Sequence, residues 1–319
     1  MKIGRRGFCI GLMGGLPSLA AGFPALAATP AGMRYKFSVV VHDNPNGSFW
    51  FVVTRGANDA GKVMNADINV QGSGDHSKQA QYVDAAVATK VDGLVVSLAD
   101  PGSLKASLQK ATQAGIPFIS INSGVDAWQQ LGALTHVGQT ETIAGQGAGR
   151  QLKSAGGTKL LSIIHEVGNI GLDQRANGAE ESFPNHSRLQ VDLHNLPDVQ
   201  AKVKSALLAD SSINAVLALN PDVGNATNLA IQGANLGGKV KMGTFDLSPQ
   251  VIRAVQSGQI LFAVDQQQYM QGYLPIVFLE LYRNNLNVPG GGLPVLTGPG
   301  FVTKANAAKV LELVNAGTR

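Results

Sequence analysis

The sequence predicts an α/β protein built of two parallel-sheet lobes. Three observations carry this. Short apolar runs alternate with helical segments of roughly 10–15 residues along nearly the whole chain, which is the rhythm of βαβ units. The runs are continuously apolar rather than alternating, as strands covered by helices on both faces are. At 319 residues, 44% hydrophobic and only 14% charged, the chain is long and apolar enough to fill two cores.

The elements follow in order. Tyr35–Val41 is β-rich and reads as the first strand. His42–Ser48 is a loop by its turn residues, and Phe49-Trp50-Phe51 opens a helix that runs to about Lys62. Met64–Val70 reads as the next strand, and Asp75 caps a helix to Thr89. Gly93–Ser97 is a buried strand, followed by an Asp100-Pro-Gly loop and a helix from Ser103. Pro117–Ile121 is a fourth strand ending in the polar loop Asn122–Asp126. A short run through Leu134–Gln139 closes the first lobe near His136, and a small-residue helix through Ala144–Gly149 opens the second. There the rhythm resumes, with strands at Lys159–Ile164, Leu189–Leu193, Asn214–Leu219, Val240–Phe245 and Ile260–Val264. Helices carry Arg175 and cover Val199–Ala209, the segment after Asn220-Pro-Asp222, and Ser248–Ser257. In open α/β sheets ligands sit at the carboxyl ends of strands, so Asn122 is a candidate contact by position. We find no convincing internal repeat in the sequence.

The N-terminus reads as an export signal. Lys2, Arg5 and Arg6 precede an apolar stretch from Phe8 to Phe23, and Ala25-Leu-Ala27 is a small-x-small cleavage site. Residues 1–27 are therefore expected to be removed. Arg5-Arg6-Gly7-Phe8 resembles a twin-arginine signal in part. Cys9 is the one cysteine, so the mature chain is expected to hold no disulfide, thiolate metal site or cysteine nucleophile. Without Lys2, Arg5 and Arg6, 22 Lys and Arg stand against 21 Asp and Glu. That near-balance, with no basic patch, excludes a nucleic-acid surface. Six histidines are scattered, none at His-x3-His spacing, so no metal is expected. No Gly-x-Ser-x-Gly, P-loop or Gly-x-Gly-x-x-Gly follows a strand at the required place, which argues against an enzyme.

Several short motifs, in order and spacing, resemble the periplasmic sugar-binding proteins of the ribose/galactose-binding type, the receptors of bacterial ABC importers. They are the aromatic pair Phe49-Trp50, Ile121-Asn-Ser-Gly124 leading to His136-Val-Gly-Gln139, Asn169 to Gly178 with Arg175, and Thr244-Phe-Asp246 with Asp265-Gln-Gln267. The resemblance covers about Tyr35 to Val314. It implies two doubly wound lobes joined by a three-strand hinge, with a ligand cleft between them. The crossings fall near Val137–Gln139, near Gln266–Gln267 and within Gly290–Gly298. The lobes then comprise residues 34–138 with 267–297, and 139–266 with 298–319. The last helix, Thr303–Val314, belongs to the second lobe. The partners implied are a sugar or polyol and an inner-membrane ABC permease, with the receptor a periplasmic monomer that needs no cofactor.

Sugar hydroxyls call for Asp, Asn, Gln and Arg partners, and sugar C–H faces call for flat aromatics, convergently placed in a cleft. By resemblance the ligand contacts are Phe49, Trp50, Asn122, Arg175, Asn220, Asp222, Asp246 and Gln266. Asn46, Gln139, His165, Asn169 and Asp265 form a second rank. Glu166 beside His165 also follows a second-lobe strand and so could face the cleft. Pro221 interrupts the family's Asn-Asp pair, leaving open which of Asn220 and Asp222 points inward. Ribose binders commonly carry Asp-Arg where this chain has Asn122-Ser123, so a different pentose, a hexose or a sugar alcohol is expected. Two other readings keep the lobe fold. A sugar-responsive transcription regulator would need a DNA-binding module where the export signal stands. A receptor for an amino acid or a furanone-type signal would need different polar groups in the same cleft.

Overall fold

A computed structural model describes residues 34–319 of the chain. The export signal read over residues 1–27, with Cys9 and the arginine pair, lies outside the described residues. The first lobe begins with strand β1 (Tyr35–Val41), helix α1 (Ser48–Val63), β2 (Ala66–Gly72), α2 (His76–Ala88), β3 (Gly93–Ser97), α3 (Pro101–Gln113), β4 (Phe118–Asn122), the one-turn α4 (Trp128–Leu131) and β5 (His136–Gln139). The chain then crosses into α5 (Glu141–Ser154), β6 (Lys159–Ile164), α6 (Ile170–Glu180), β7 (Asn185–Gln190), α7 (Leu196–Ala209), β8 (Ala215–Ala218), α8 (Pro221–Gly233), β9 (Lys241–Phe245), α9 (Pro249–Ser257) and β10 (Phe262–Asp265). It returns to the first lobe for α10 (Gln268–Asn285) and β11 (Val295–Gly298), and ends in the second with β12 (Gly300–Thr303) and α11 (Ala307–Asn315).

Each lobe holds a six-stranded sheet, in the orders β2-β1-β3-β4-β5-β11 and β7-β6-β8-β9-β10-β12. The two orders are the same, so the duplication absent from the sequence is present in the topology. The pairings are parallel except that β12 runs antiparallel to β10. The reason is the crossing itself. The strands of both lobes run toward the cleft, but β12 enters the second sheet from the cleft end, with Gly300 opposite Asp265. It must therefore run against its neighbour.

Burial explains most of the strand pattern. Every residue of β3 and β4 is buried, as their apolar runs require. The strand expected at Leu189–Leu193 is displaced to β7, Asn185–Gln190. It is an edge strand with half-buried and exposed positions. Polar residues are tolerated there, so hydrophobicity misplaced it. The helix expected from Ser103 begins at Pro101, because Asp100 accepts hydrogen bonds from the backbone N–H groups of Gly102 and Ser103 at 3.0 and 3.2 Å. Pro at the first helical position needs no donor. The final helix starts at Ala307 rather than Thr303, because residues 300–303 are taken by β12.

In both lobes the helix that follows a crossing packs closely on the helix that follows the lobe's first strand. A Cβ added at Gly272 of α10 would sit 1.9 Å from the Val53 carbonyl oxygen of α1. One added at Gly145 of α5 would sit 2.1 Å from the Arg175 carbonyl oxygen of α6. The small-residue helix read from the sequence is small because its neighbour's backbone lies against it.

Candidate functional site

The carboxyl ends of both sheets face a cavity of about 510 Å³, its open mouth included. The first lobe contributes residues after β1, at the start of α1 and at the end of β4. The second contributes residues after β6, β8 and β9 and from α6, while Gln266 comes from the second crossing.

Two strand ends are counterparts in the two sheets. Asn122 ends β4 with φ of 61°, and Asp246 follows β9 with φ of 66°. Asn and Asp tolerate this left-handed backbone better than most residues. The side-chain amide of Gln266 bridges them. Asn122 Nδ2 donates to Gln266 Oε1 at 3.0 Å, and Gln266 Nε2 donates to Asp246 Oδ1 at 2.7 Å. Gln271 Nε2 donates to Gln266 Oε1 and to its backbone oxygen, at 3.0 and 3.1 Å. A hinge side chain thus ties together the counterpart strand ends of the two lobes.

Arg175 is buried at the cleft wall. Its Nε donates to Glu141 Oε2 at 2.6 Å and its Nη2 to Glu141 Oε1 at 2.9 Å, a two-pronged ion pair. Its Nη1 donates to the Leu219 carbonyl at 3.2 Å and lies 3.8 Å from Asp246 Oδ2. The guanidinium also stacks 4.6 Å from the centre of the Phe245 ring. Burial acts to lower its pKa, but the charge and hydrogen bonds of Glu141 outweigh that and raise it.

Asp246 goes the other way. Burial pushes its carboxyl up to about 7, against the pull of Arg175 and the Gln266 hydrogen bond. His42 and His165 are both held neutral, pushed down to about 3 chiefly by burial. His42 Nδ1 lies 2.8 Å from the Ser97 hydroxyl. Asn169 Nδ2 lies 3.3 Å from His42 Nε2, which can accept in the neutral ring. Burial also raises the Glu166 pKa.

A pH dependence of stability follows. For Asp246, protonation is easier in the folded protein than in the unfolded chain. Its contribution is full below about pH 3.8 and is lost as pH rises through about 7. The two histidines act oppositely, losing stability as pH falls below their unfolded value near 6.5. Comparing Asp246→Asn with the wild type isolates the first effect. The variant should lose less melting temperature between pH 5 and pH 8, and parallel curves would show that the carboxyl does not titrate there.

Phe49 and Trp50 meet edge to face at 4.9 Å, and Trp50 meets the His42 ring likewise at 4.8 Å. Both pack into the first-lobe core and show only 8% and 4% of their surface. Both still line the cavity. The lobes touch across it. The Ser48 hydroxyl donates to the Asp222 carboxylate, and Ser123 Oγ lies 3.2 Å from Asn169 Oδ1. The Ile170 N–H donates to the Ala99 carbonyl at 3.1 Å. The cleft is in a closed form.

All eight first-rank candidates line this cavity: Phe49, Trp50, Asn122, Arg175, Asn220, Asp222, Asp246 and Gln266. Asn220 Oδ1 is engaged in capping α8, accepting from the Asp222 N–H at 2.8 Å. Of the second rank, His165 and Asn169 line it, and Asn46, Gln139 and Asp265 do not. Asn46 is exposed on its loop. Gln139 is buried in the hinge, where its Nε2 donates to Glu141 at 2.8 Å. Asp265 accepts from the Gln267 N–H at 2.8 Å and from Arg319 Nε at 2.7 Å. Sequence reasoning missed His42, Asp43 and Ser48, although the strand-end rule that singled out Asn122 applies equally after β1. It also missed Glu141, which carried no signal. Among the described residues no group of three or more His, Cys, Asp or Glu is placed to hold a metal ion.

A model of the periplasmic binding protein domain matches residues 37–283. The chain belongs to this periplasmic binding protein family. The family is one of solute-binding proteins. Among its relatives, the xylose/arabinose-binding protein of Sulfolobus acidocaldarius is 25% identical over 297 residues, which is 87% of this chain and 73% of the relative. The D-apiose import binding protein of Paraburkholderia graminis is 24% identical over 285 residues, 84% of this chain and 86% of that one. A carbohydrate transporter from Acidothermus cellulolyticus, solved in complex with myo-inositol, superposes with a TM-score of 0.87. It is 34% identical to this periplasmic binding protein and covers 90% of it and all of the solved chain.

Proposed function

We propose that this protein is the receptor of an ABC importer and carries a monosaccharide or sugar alcohol in the interlobe cleft. The observation that carries the reading is the cleft wall itself. Two lobes present Asn122, Asp246, Asn220, Asp222 and Arg175 around one small cavity, with Phe49 and Trp50 at its side. These are the groups that hydroxyls and sugar C–H faces call for. The named ligands of the relatives support it: pentoses, and a cyclic polyol in the 34%-identical neighbour. An amino acid or furanone-type cargo has no such support.

Ligand binds between the lobes and favours the closed form, which rotates about the crossings at 139–141, 265–268 and 298–300. The closed form then docks on an inner-membrane permease. We assign residues 34–138 with 267–297 to one rigid lobe and 139–266 with 298–319 to the other. We also assign the protein to the periplasm, as a monomer exported by the segment 1–27. The catalytic machinery for transport resides in the partner subunits, and this chain acts by binding alone.

The test is a thermal-shift screen against pentoses, hexoses, cyclic and linear polyols, amino acids and nucleosides. Ligand at 100 times its dissociation constant adds about 2.7 kcal/mol of stability. A raised melting point with one or a few sugars or polyols is expected. Shifts with amino acids or nucleosides alone would overturn the sugar reading.

A further inference from the structure

We propose that Glu141 sets the charge class of the cargo: by holding the guanidinium fork of Arg175, it leaves the closed cleft without a free cation, so uncharged polyols enter and their carboxylated or phosphorylated counterparts do not. The inference rests on the reading of the cleft as a polyol site and narrows it.

Among the described residues lining the cavity, Arg175 is the one lysine or arginine. A guanidinium recognises a carboxylate or phosphate by two parallel N–H bonds. In this protein that edge is already engaged. Nε and Nη2 meet the two Glu141 oxygens at 2.6 and 2.9 Å, and Nη1 donates to the Leu219 carbonyl. Glu141 is fully buried and does not line the cavity, so a ligand cannot reach it to compete. Gln139 Nε2 adds a third donor to Glu141 at 2.8 Å, which fixes the carboxylate from the hinge side. Asp246 is no substitute for Glu141. It lies 3.8 Å from Nη1 and is itself held by Gln266.

The rest of the wall works in the same direction. Asp43, Glu166, Asp222 and Asp246 all face the cavity. An anionic ligand would leave water for a site with four carboxyl groups and one cation that is already paired. Burying a charge without a partner is strongly unfavourable. A hydroxyl ligand meets the same acceptors as a donor and is welcome. Glu141 does not touch the ligand. It is a positioning residue that acts through Arg175.

The experiment compares the wild type with Glu141→Gln and Glu141→Asp. Affinity is measured for D-glucose and myo-inositol, and for their anionic counterparts D-glucuronate and an inositol monophosphate. Melting temperature is measured with and without inorganic phosphate, which needs no knowledge of the cargo. In the wild type, the anionic partner of any neutral probe that binds is expected to be weaker by on the order of 100-fold. Phosphate should leave the melting temperature unchanged. In E141Q that discrimination should shrink by about tenfold or more, and phosphate should raise the melting temperature. E141D, which keeps the charge, should retain the wild-type discrimination. If E141Q folds only with phosphate present, the expectation is equally met. Equal loss of neutral and anionic binding in E141Q would overturn the proposal. So would phosphate stabilising the wild type, or E141Q remaining unfolded with phosphate as without it. If no sugar or polyol binds the wild type at all, the sugar reading fails, while the phosphate arm still judges Glu141.

Discussion

Replacing Arg175 by methionine is expected to lower stability at pH 7 by about 3–5 kcal/mol, the usual result of removing one partner of a buried ion pair. Glu141 would keep only Gln139 Nε2 as a donor, and Asp246 would lose its nearest cation. Both carboxylates would be stranded in a region that excludes water. The loss should shrink toward pH 5, because the Asp246 carboxyl, which burial already pushes up to about 7, is protonated there and no longer needs the cation. The double variant R175M/E141Q should recover much of the loss, since it removes the stranded charge together with its partner. Urea unfolding of the three proteins at the two pH values measures this. A single-variant loss below about 1 kcal/mol, or strict additivity in the double, would mean that the ion pair does not hold the second lobe.

Gly272→Ala should be the next most damaging change outside the site, at about 1–3 kcal/mol. The added methyl would lie 1.9 Å from a backbone oxygen of α1, and a backbone cannot rotate aside as a side chain can. To accommodate it, α10 must lift off α1, and with it Ile276 and Leu279, which belong to the first-lobe core. The melting temperature of G272A reads the effect, with Gly233→Ala as the control. Gly233 lies in a helix, and a Cβ there meets nothing within 4 Å. If the two variants melt alike, the close approach of the helices is not what glycine serves here.

What the sequence made legible follows from burial. β1, β3 and β6 appear where the apolar runs placed them, because parallel strands with helices on both faces have no freedom to be polar. β7 escaped because an edge strand has that freedom. α10 was not read at all. It opens at Gln267 without a side-chain cap and carries Pro275 in its interior, and both features argue locally against a helix. Packing of Ile276 and Leu279 in the first-lobe core overrides them. In the site, Asn122 and Asp246 were legible because strand ends in α/β sheets face ligands. Their link through Gln266 was not, since a hydrogen bond across 144 residues leaves no local trace. Glu141 was invisible for the same reason. Its partner Arg175 lies 34 residues away, and nothing around it marks a paired carboxylate. The shared strand order was also hidden, because many apolar sequences satisfy the same buried strand and two halves can drift apart in residues while keeping one topology.

The return of α10 and β11 to the first lobe has a consequence for the order of assembly. As the chain is made from its N-terminus, the first five strands of the leading lobe emerge early, but the face of α1 that Gly56 presents to Tyr269 stays uncovered. Its cover arrives only after all five parallel strands of the trailing lobe have been synthesised. The trailing lobe, by contrast, is nearly continuous from α5 to β10 and can collapse on local pairings. Long-range closure is slow, and uncovered apolar surface is where chains aggregate or recruit chaperones. The lobe that starts the polypeptide therefore waits half-built for a time set by the length of the other, while the trailing lobe lacks only β12 and α11.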